Sequence, residues 1–317
     1  FFFLMIHQNQ LYKFLSLIAA VAAILLEVAW PELANQIKYP ALALCLVVIG
    51  IPHGSIDHIV TAKVYNLRYT LRDQLPFYLY YFTMMIAMAV VWIISPSAGL
   101  LLFLAVTIYH FGQADLEHLN FSSIPKRMLF LSRGAMIMGL VLFSDLSYTG
   151  PVIQDITGVE ILTSEFVVNS SFQINLFFVL QYFLMQTGMI AASNGMDRNE
   201  FINLSIDSVL LAVLFWIVNP ILAFSIYFGL WHSLGHVREM LDFFDQVGSP
   251  MNMKSFFIKS LPLTLITFAG MALMYGLIET VNLGVSIISL LFIIISVLTL
   301  PHMLIVEKMY SVKQTAD

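Results

Sequence analysis

The chain has 317 residues, of which 60% are hydrophobic and 10% are charged, with a formal net charge of −5. Soluble domains carry about 25% charged residues, so a water-soluble globule of this composition would expose a largely apolar surface. The composition excludes a nucleic-acid-binding protein and a disordered chain, and it predicts an all-α, polytopic integral membrane protein. The single cysteine, Cys45, excludes a disulfide framework and a cysteine-rich metal site.

Ten stretches of the sequence are apolar and long enough to cross a bilayer as helices, which takes about 20 residues each. No polar linker or soluble segment interrupts the series, so we expect a single transmembrane helical domain over 1–317. The predicted spans are 11–29, 41–62, 76–95, 98–118, 128–145, 172–192, 202–218, 220–240, 257–278 and 284–306.

Basic residues are distributed unevenly between the predicted loops. If the N-terminus and every second loop share one side of the membrane, that side holds thirteen of the fourteen Lys and Arg residues, and the other side holds only Lys38. Positively charged loops face the cytoplasm, so the pattern predicts a multi-pass protein of the cell membrane with both termini inside. Segment 146–171 carries Asp155, Glu160 and Glu165 but no Lys or Arg, and we expect it to be an external loop.

Seven of the eight histidines, all except His7 in the N-terminal tail, lie in predicted spans two, four, eight and ten. Polar groups at membrane depth normally face the bundle interior and mark a site. These four spans all run towards the cytoplasm, which puts His53, His110 and His232 at similar depth, and His232 and His236 share one face of an ideal helix. The pattern predicts a metal site, and imidazole suits zinc, copper, iron and nickel.

Acidic residues accompany two of the histidine motifs. Carboxylates often orient a metal-bound imidazole by accepting its other N–H, and we expect Asp57 and Asp115 to do so. Asp57 lies four residues after His53, on the same helical face, whereas Asp115 would need a helix distortion near Gly112 to face His110. Prolines before two histidines, Pro52 and Pro301, predict kinks. No role is assigned to the remaining intramembrane histidines, which are His58, His118 and His302.

Aromatic side chains beside the histidines are expected to line an apolar substrate pocket, with core packing as the alternative. A metal centre at this depth suits oxidation of a lipophilic substrate that enters from the bilayer. Two alternatives stay open: a divalent-metal or proton transporter that uses the same histidines, and another membrane iron oxidase. A di-iron oxidase needs several tight histidine clusters, and only one His-x-x-x-His is present. The expected pocket residues are Tyr109, Phe111, Tyr227, Phe228 and Trp231.

At these motifs the sequence resembles the bacteriorhodopsin-related-protein-like (Brp/Blh) family of membrane β-carotene 15,15'-dioxygenases. The matching elements are Pro-His-Gly-x-x-Asp-His at 52–58, Tyr-His-Phe-Gly-x-x-Asp at 109–115, Trp-His-x-x-x-His at 231–236 and Pro-His at 301–302. The resemblance implies a non-haem iron(II) enzyme that cleaves the central double bond of β-carotene with O2. The products would be two molecules of all-trans retinal, the chromophore of microbial rhodopsins. Carried over by position, the iron ligands would be His53, His110, His232 and His236.

Overall fold

The computed structural model describes residues 8–192, 195–281 and 286–316, so His7 lies outside the described residues. All regular secondary structure in these ranges is helical, which confirms the predicted all-α class. Two π-helical segments, π1 (Leu46–Gly50) and π2 (Tyr227–Ser233), interrupt the α-helices. The α-helices are α1 (Gln8–Ala29), α2 (Pro31–Cys45), α3 (Ile51–Gly54), α4 (Asp57–Val64), α5 (Leu71–Ile94), α6 (Pro96–Leu116), α7 (Ser123–Phe143), α8 (Leu146–Thr157), α9 (Glu165–Asn169), α10 (Ser171–Ala192), α11 (Arg198–Ile217), α12 (Pro220–Ile226), α13 (Leu234–Gln246), α14 (Met253–Val281) and α15 (Ile287–Ala316).

Within the described ranges, eight helices are long and apolar enough to cross a membrane, or nine if α7 and α8 form one span bent by 96°. One of the eight is the interrupted run Pro31–Val64. In the described ranges each predicted span coincides with helical structure, and residues 284 and 285 of the last span lie outside them. The run α12–π2–α13 at the predicted span 220–240 is not among the eight. Its second half is charged, with Arg238, Glu239 and Asp242. The predicted count of ten is therefore not confirmed, and the cytoplasmic location of both termini stays a prediction.

Helix starts follow from local sequence signals. Before α5, the Thr70 hydroxyl accepts a hydrogen bond from the Asp73 backbone N–H at 3.2 Å, and before α11, Asp197 and Glu200 form a reciprocal capping box. Helix α12 begins at Pro220, whose missing N–H costs nothing at a first helical position. These signals start each helix only a few residues after the previous helix ends.

The predicted external loop 146–171 is not a loop, because it contains α8, α9 and a short 3-10 helix. The turn before α8 is closed by Asp145, whose carboxylate accepts hydrogen bonds from the N–H and hydroxyl of Ser147 at 3.1 and 2.5 Å. The segment was predicted to be a loop because it lies between two apolar spans, but local capping is enough to start a helix here. Its predicted position outside the membrane stays a prediction.

The chain divides into two compact units, each built from segments far apart in sequence. The described parts of Phe1–Val47, Thr107–Pro151 and Glu160–Gly235 form unit 1, and those of Val48–Val106, Val152–Val159 and His236–Asp317 form unit 2. Neither unit is a continuous stretch of sequence, and the prediction of one domain over 1–317 stays a prediction.

In unit 1, the end of α6 and the start of α7 approach each other closely at two glycines. A Cβ on Gly112 would collide with the backbone of Phe130, and one on Gly134 would collide with the backbone of Ile108. Helix α6 is continuous through Gly112, so this glycine serves the helix contact and not the predicted distortion. The glycines bring the two helices together at the level of the histidine motif 109–118.

A buried ion pair reinforces this contact. Arg133 on α7 donates from Nε to Asp115 on α6 at 2.8 Å and from Nη1 to the Ser208 hydroxyl on α11 at 2.6 Å. Its guanidinium also lies over the Tyr182 ring, 5.2 Å from the centroid. Arg133 is only 1% exposed, so it is a buried charge of the helix contact, and its predicted cytoplasmic side stays a prediction.

In unit 2, α15 packs against α4 and α5. The Trp92 indole N–H on α5 donates to the Ser296 hydroxyl on α15 at 2.6 Å, beside a core that includes Met88 and Phe103. By contrast, only 6% of the apolar window Met253–Thr280 in α14 is buried, although its mean hydropathy is 1.8. Such a face is stable against lipid and costly against water, which supports an integral membrane protein.

Candidate functional site

Three imidazoles meet inside unit 2. His53 lies on α3, His236 on α13 and His302 on α15, and all three are buried. The His53 and His302 ring centroids are 5.0 Å apart, those of His236 and His302 5.5 Å, and those of His53 and His236 6.0 Å. The rings stand nearly perpendicular to one another, at 87–88°. We call His53, His236 and His302 the histidine triad.

His53 lies where the helix is interrupted after π1. The α-helix is widened over Leu46–Gly50, and the short α3 that follows ends at Gly54 before α4 begins at Asp57. Pro52 lacks a backbone N–H and lies in the first turn of the short α3, and the kink predicted at this proline stays a prediction. His302, by contrast, follows Pro301 within the single helix α15.

Acidic and phenolic groups hold two rings of the triad. The Nδ1 atom of His302 lies 3.0 Å from each carboxylate oxygen of Asp57, and the Tyr81 hydroxyl donates to Asp57 Oδ2 at 3.2 Å. The Tyr310 hydroxyl lies 3.4 Å from Nδ1 of His236 and donates a hydrogen bond to Glu239. Asp57 is therefore beside a histidine, as predicted, but the ring it contacts is that of His302.

Unit 1 contains a second histidine pair, His110 on α6 and His232 in π2. Their ring centroids are 5.0 Å apart, and each residue is 1% exposed. The ideal α-helical spacing assumed for His232 does not hold, because it lies in a π-helical turn. Such turns are frequent at functional sites.

Aromatic side chains surround this pair. The Phe111 ring lies 4.4 Å from that of His232 and 5.5 Å from that of Tyr227, and the Phe228 ring stacks on His232 at 5.5 Å. Trp231 is buried in the same π segment, and Tyr109 faces Phe130 at 6.0 Å. Phe111, Tyr227 and Phe228 therefore form an apolar wall against His232.

The remaining predicted residues have other partners. Asp115 pairs with Arg133 as described above, and its expected role in orienting a histidine stays a prediction. His58 lines an open groove of about 470 Å³ together with Tyr69, Gln74 and Lys259. His118 follows the end of α6 and is exposed.

As the side chains stand, no group of three or more His, Cys, Asp or Glu residues in the described parts of the chain could hold a metal ion. The donor chemistry nevertheless suits one, since buried imidazoles adjoin a buried carboxylate. Metal binding would require the side chains to shift from their present positions. Sequence reasoning left His302 without a role, although its Pro-His motif was a signal that could have found it.

Comparisons with known proteins cover the part of the chain that contains these residues. The family described as BCD, Beta-carotene 15,15'-dioxygenase, matches residues 44–310. A relative from Halobacterium salinarum, named probable beta-carotene 15,15'-dioxygenase Blh, is 24% identical over 308 residues, which cover 88% of this chain and 86% of the relative. A relative from uncultured marine bacterium 66A03, named beta-carotene 15,15'-dioxygenase, is 24% identical over 276 residues, covering 86% and 93%. No solved structure matches the chain.

Proposed function

The chain belongs to the beta-carotene 15,15'-dioxygenase family, and we propose that it cleaves the central double bond of β-carotene with O2 to give two molecules of all-trans retinal. The reaction breaks one carbon–carbon double bond and the O–O bond and forms two aldehyde groups. The family match carries this proposal, because residues 44–310 include all four histidine motifs. The two curated relatives support it over most of their length.

We propose Fe(2+) as the cofactor, with His53, His110, His232 and His236 as its ligands. These four side chains are 1–6% exposed, and imidazole is a suitable donor for iron. When bound, iron supplies the redox chemistry that lets O2 react with a polyene. The grouping of His53 with His236, and of His110 with His232, supports the assignment in each unit.

The protein's own side chains hold the polyene and exclude water. β-Carotene is about 30 Å long, comparable to the hydrocarbon core of a bilayer, so it needs an apolar path of similar length. Phe111, Tyr227 and Phe228 supply part of that path beside His232. Because the substrate dissolves in lipid, we propose lateral entry from the bilayer. The location in the cell membrane and delivery of retinal to a rhodopsin belong to the same proposal.

Expression in bacteria that accumulate β-carotene tests the activity. We expect the cells to lose their orange colour and their extracts to contain all-trans retinal, with neither change in cells deprived of O2. His110→Ala should abolish bleaching, whereas His118→Ala, at the exposed position just after the same helix, should bleach like the parent. Persistent colour in cells with membrane-inserted protein and sufficient iron would contradict the proposal. Metal uptake into vesicles without carotenoid cleavage would favour the transporter.

A further inference from the structure

We propose that His302 is a further metal ligand, bound through Nε2 and oriented by Asp57. This inference rests on the proposed iron site and extends its ligand set beyond the four residues given above. It is carried by the position of His302 within the histidine triad and by the carboxylate that holds its Nδ1 atom.

The distances within the triad place His302 beside any ion that binds the other two members. An imidazole nitrogen binds a divalent ion at about 2.1 Å, so the centroid of a bound ring lies about 3.2 Å from the ion, and two rings on one ion have centroids roughly 4.5–5.5 Å apart. The His302 centroid is 5.0 Å from that of His53 and 5.5 Å from that of His236. His53 and His236 are 6.0 Å apart, so His302 is closer to each of them than they are to one another.

The hydrogen bonds determine which nitrogen of His302 would bind. Both carboxylate oxygens of Asp57 lie 3.0 Å from Nδ1, and Tyr81 fixes Asp57 by donating to Oδ2. With Nδ1–H donating to the carboxylate, Nε2 carries the lone pair for a metal ion, and the carboxylate makes it more basic. Asp57 is 2% exposed and His302 is 5% exposed, so water does not compete for this contact.

His236 follows the same pattern. Its Nδ1 atom faces the Tyr310 hydroxyl at 3.4 Å, and Tyr310 in turn donates to Glu239. Two of the three triad rings thus have Nδ1 engaged by a partner that leads to a carboxylate, which assigns Nε2 as the binding atom in both. A histidine that only filled space against Asp57 would not need two further imidazoles within 6.0 Å.

The test measures metal binding by purified protein in detergent. Iron per chain and the iron Kd, from competition with a chelator, are compared for the parent, His302→Gln and the control His58→Gln. The absorption spectrum of the cobalt(II)-loaded proteins reports the ligand set directly. We expect His302→Gln to bind iron at least tenfold more weakly and to change the cobalt spectrum. His58→Gln, which alters the groove one residue after Asp57, should match the parent in both.

A His302→Gln protein with the parent's iron affinity and cobalt spectrum would overturn this inference and leave the proposed enzyme standing. A parent protein that binds no iron would overturn the iron enzyme and this inference with it. If His302→Gln does not fold, Asp57→Asn decides, because it keeps the imidazole and changes only the partner of Nδ1. We expect its iron affinity to fall about 10–100-fold, and an unchanged affinity would count against the inference.

Discussion

Individual buried side chains in this protein are held by partners remote in sequence. Asp57 and His302 are separated by 245 positions, yet their side chains are in hydrogen-bonding contact. A buried carboxylate or imidazole without partners is costly, so contacts of this kind fix where α4 and α15 meet. The triad therefore contributes to the packing of unit 2 as well as to its proposed chemistry.

His232→Ala is expected to lose iron and carotenoid cleavage while the protein still inserts into the membrane. The substitution removes one imidazole donor and the stacking partner of Phe228, but it leaves the apolar helices unchanged. Iron content of the purified variant and retinal formation check this directly. Retention of both would remove His232 from the ligand set.

Sequence reasoning identified the buried histidines because the cost of polar groups at membrane depth is independent of the fold. It could not predict which rings meet. Asp57 was assigned to His53 from the spacing along one helix, whereas the structure places it against His302 on another. Burial follows from residue type, but the choice of partner depends on tertiary packing.

Among the helices, the contact of α6 with α7 is the one most sensitive to side-chain size. Gly112→Ala should destabilise the protein by about 1–3 kcal/mol, because its methyl group would collide with the Phe130 backbone and force the helices apart. The matched control is Gly270→Ala in α14, where a Cβ meets nothing within 4 Å. That change should be neutral or stabilising by up to about 1 kcal/mol. Unfolding midpoints in detergent give the comparison, and equal midpoints for the two variants would contradict it.

The ion pair between the same helices should behave differently in single and double variants. Arg133→Met leaves Asp115 buried without its guanidinium, and a broken buried pair costs about 3–5 kcal/mol. Adding Asp115→Leu removes the stranded charge, so the double variant should recover much of the lost stability. Thermal unfolding of the parent, both single variants and the double variant measures the coupling. Additive losses would show that the two residues act independently.

Most helices could be located from hydropathy alone, since the predicted spans match the apolar parts of α1, α5, α6, α10, α11, α14 and α15. The π segments could not, because a change from i→i+4 to i→i+5 hydrogen bonding leaves no trace in composition. The buried partners of Arg133 could not be predicted either, because Asp115 and Ser208 lie on other helices. Both features depend on how the helices pack.

For the molecule as a whole, the number of membrane crossings decides on which side of the membrane each loop and terminus lies. The described residues supply eight or nine candidates against the predicted ten, and the difference lies in the bent pair α7–α8 and in the run 220–246. Hydropathy does not settle whether these segments cross the membrane, because α13 contains charged residues and the pair α7–α8 is bent. Only a direct topology measurement separates the possibilities.

A cysteine-labelling experiment tests the predicted orientation. On a Cys45→Ala background, Glu160→Cys should react with a membrane-impermeant maleimide in intact cells, and Gln246→Cys should react only after lysis. Both substituted positions are exposed, and a predominantly basic side is expected in the cytoplasm. Labelling of the Gln246→Cys variant in intact cells would show that the run 220–246 does not cross as predicted.

The π-helical segment Tyr227–Ser233 makes the protein sensitive to length as well as to composition. A π turn contains one residue more than the α-helix would use, so deleting a residue there allows an ordinary α-helix to form. The flanking helical turns would then keep about the same angular phase, while the widened turn that carries His232 would be lost. Loss of half-buried Leu230 would thus shift His232 without altering any residue of either histidine group, whereas Leu230→Met would keep the widened turn. Relatives of this protein should accordingly tolerate exchange of side chains at this segment far better than a change of a single codon in its length.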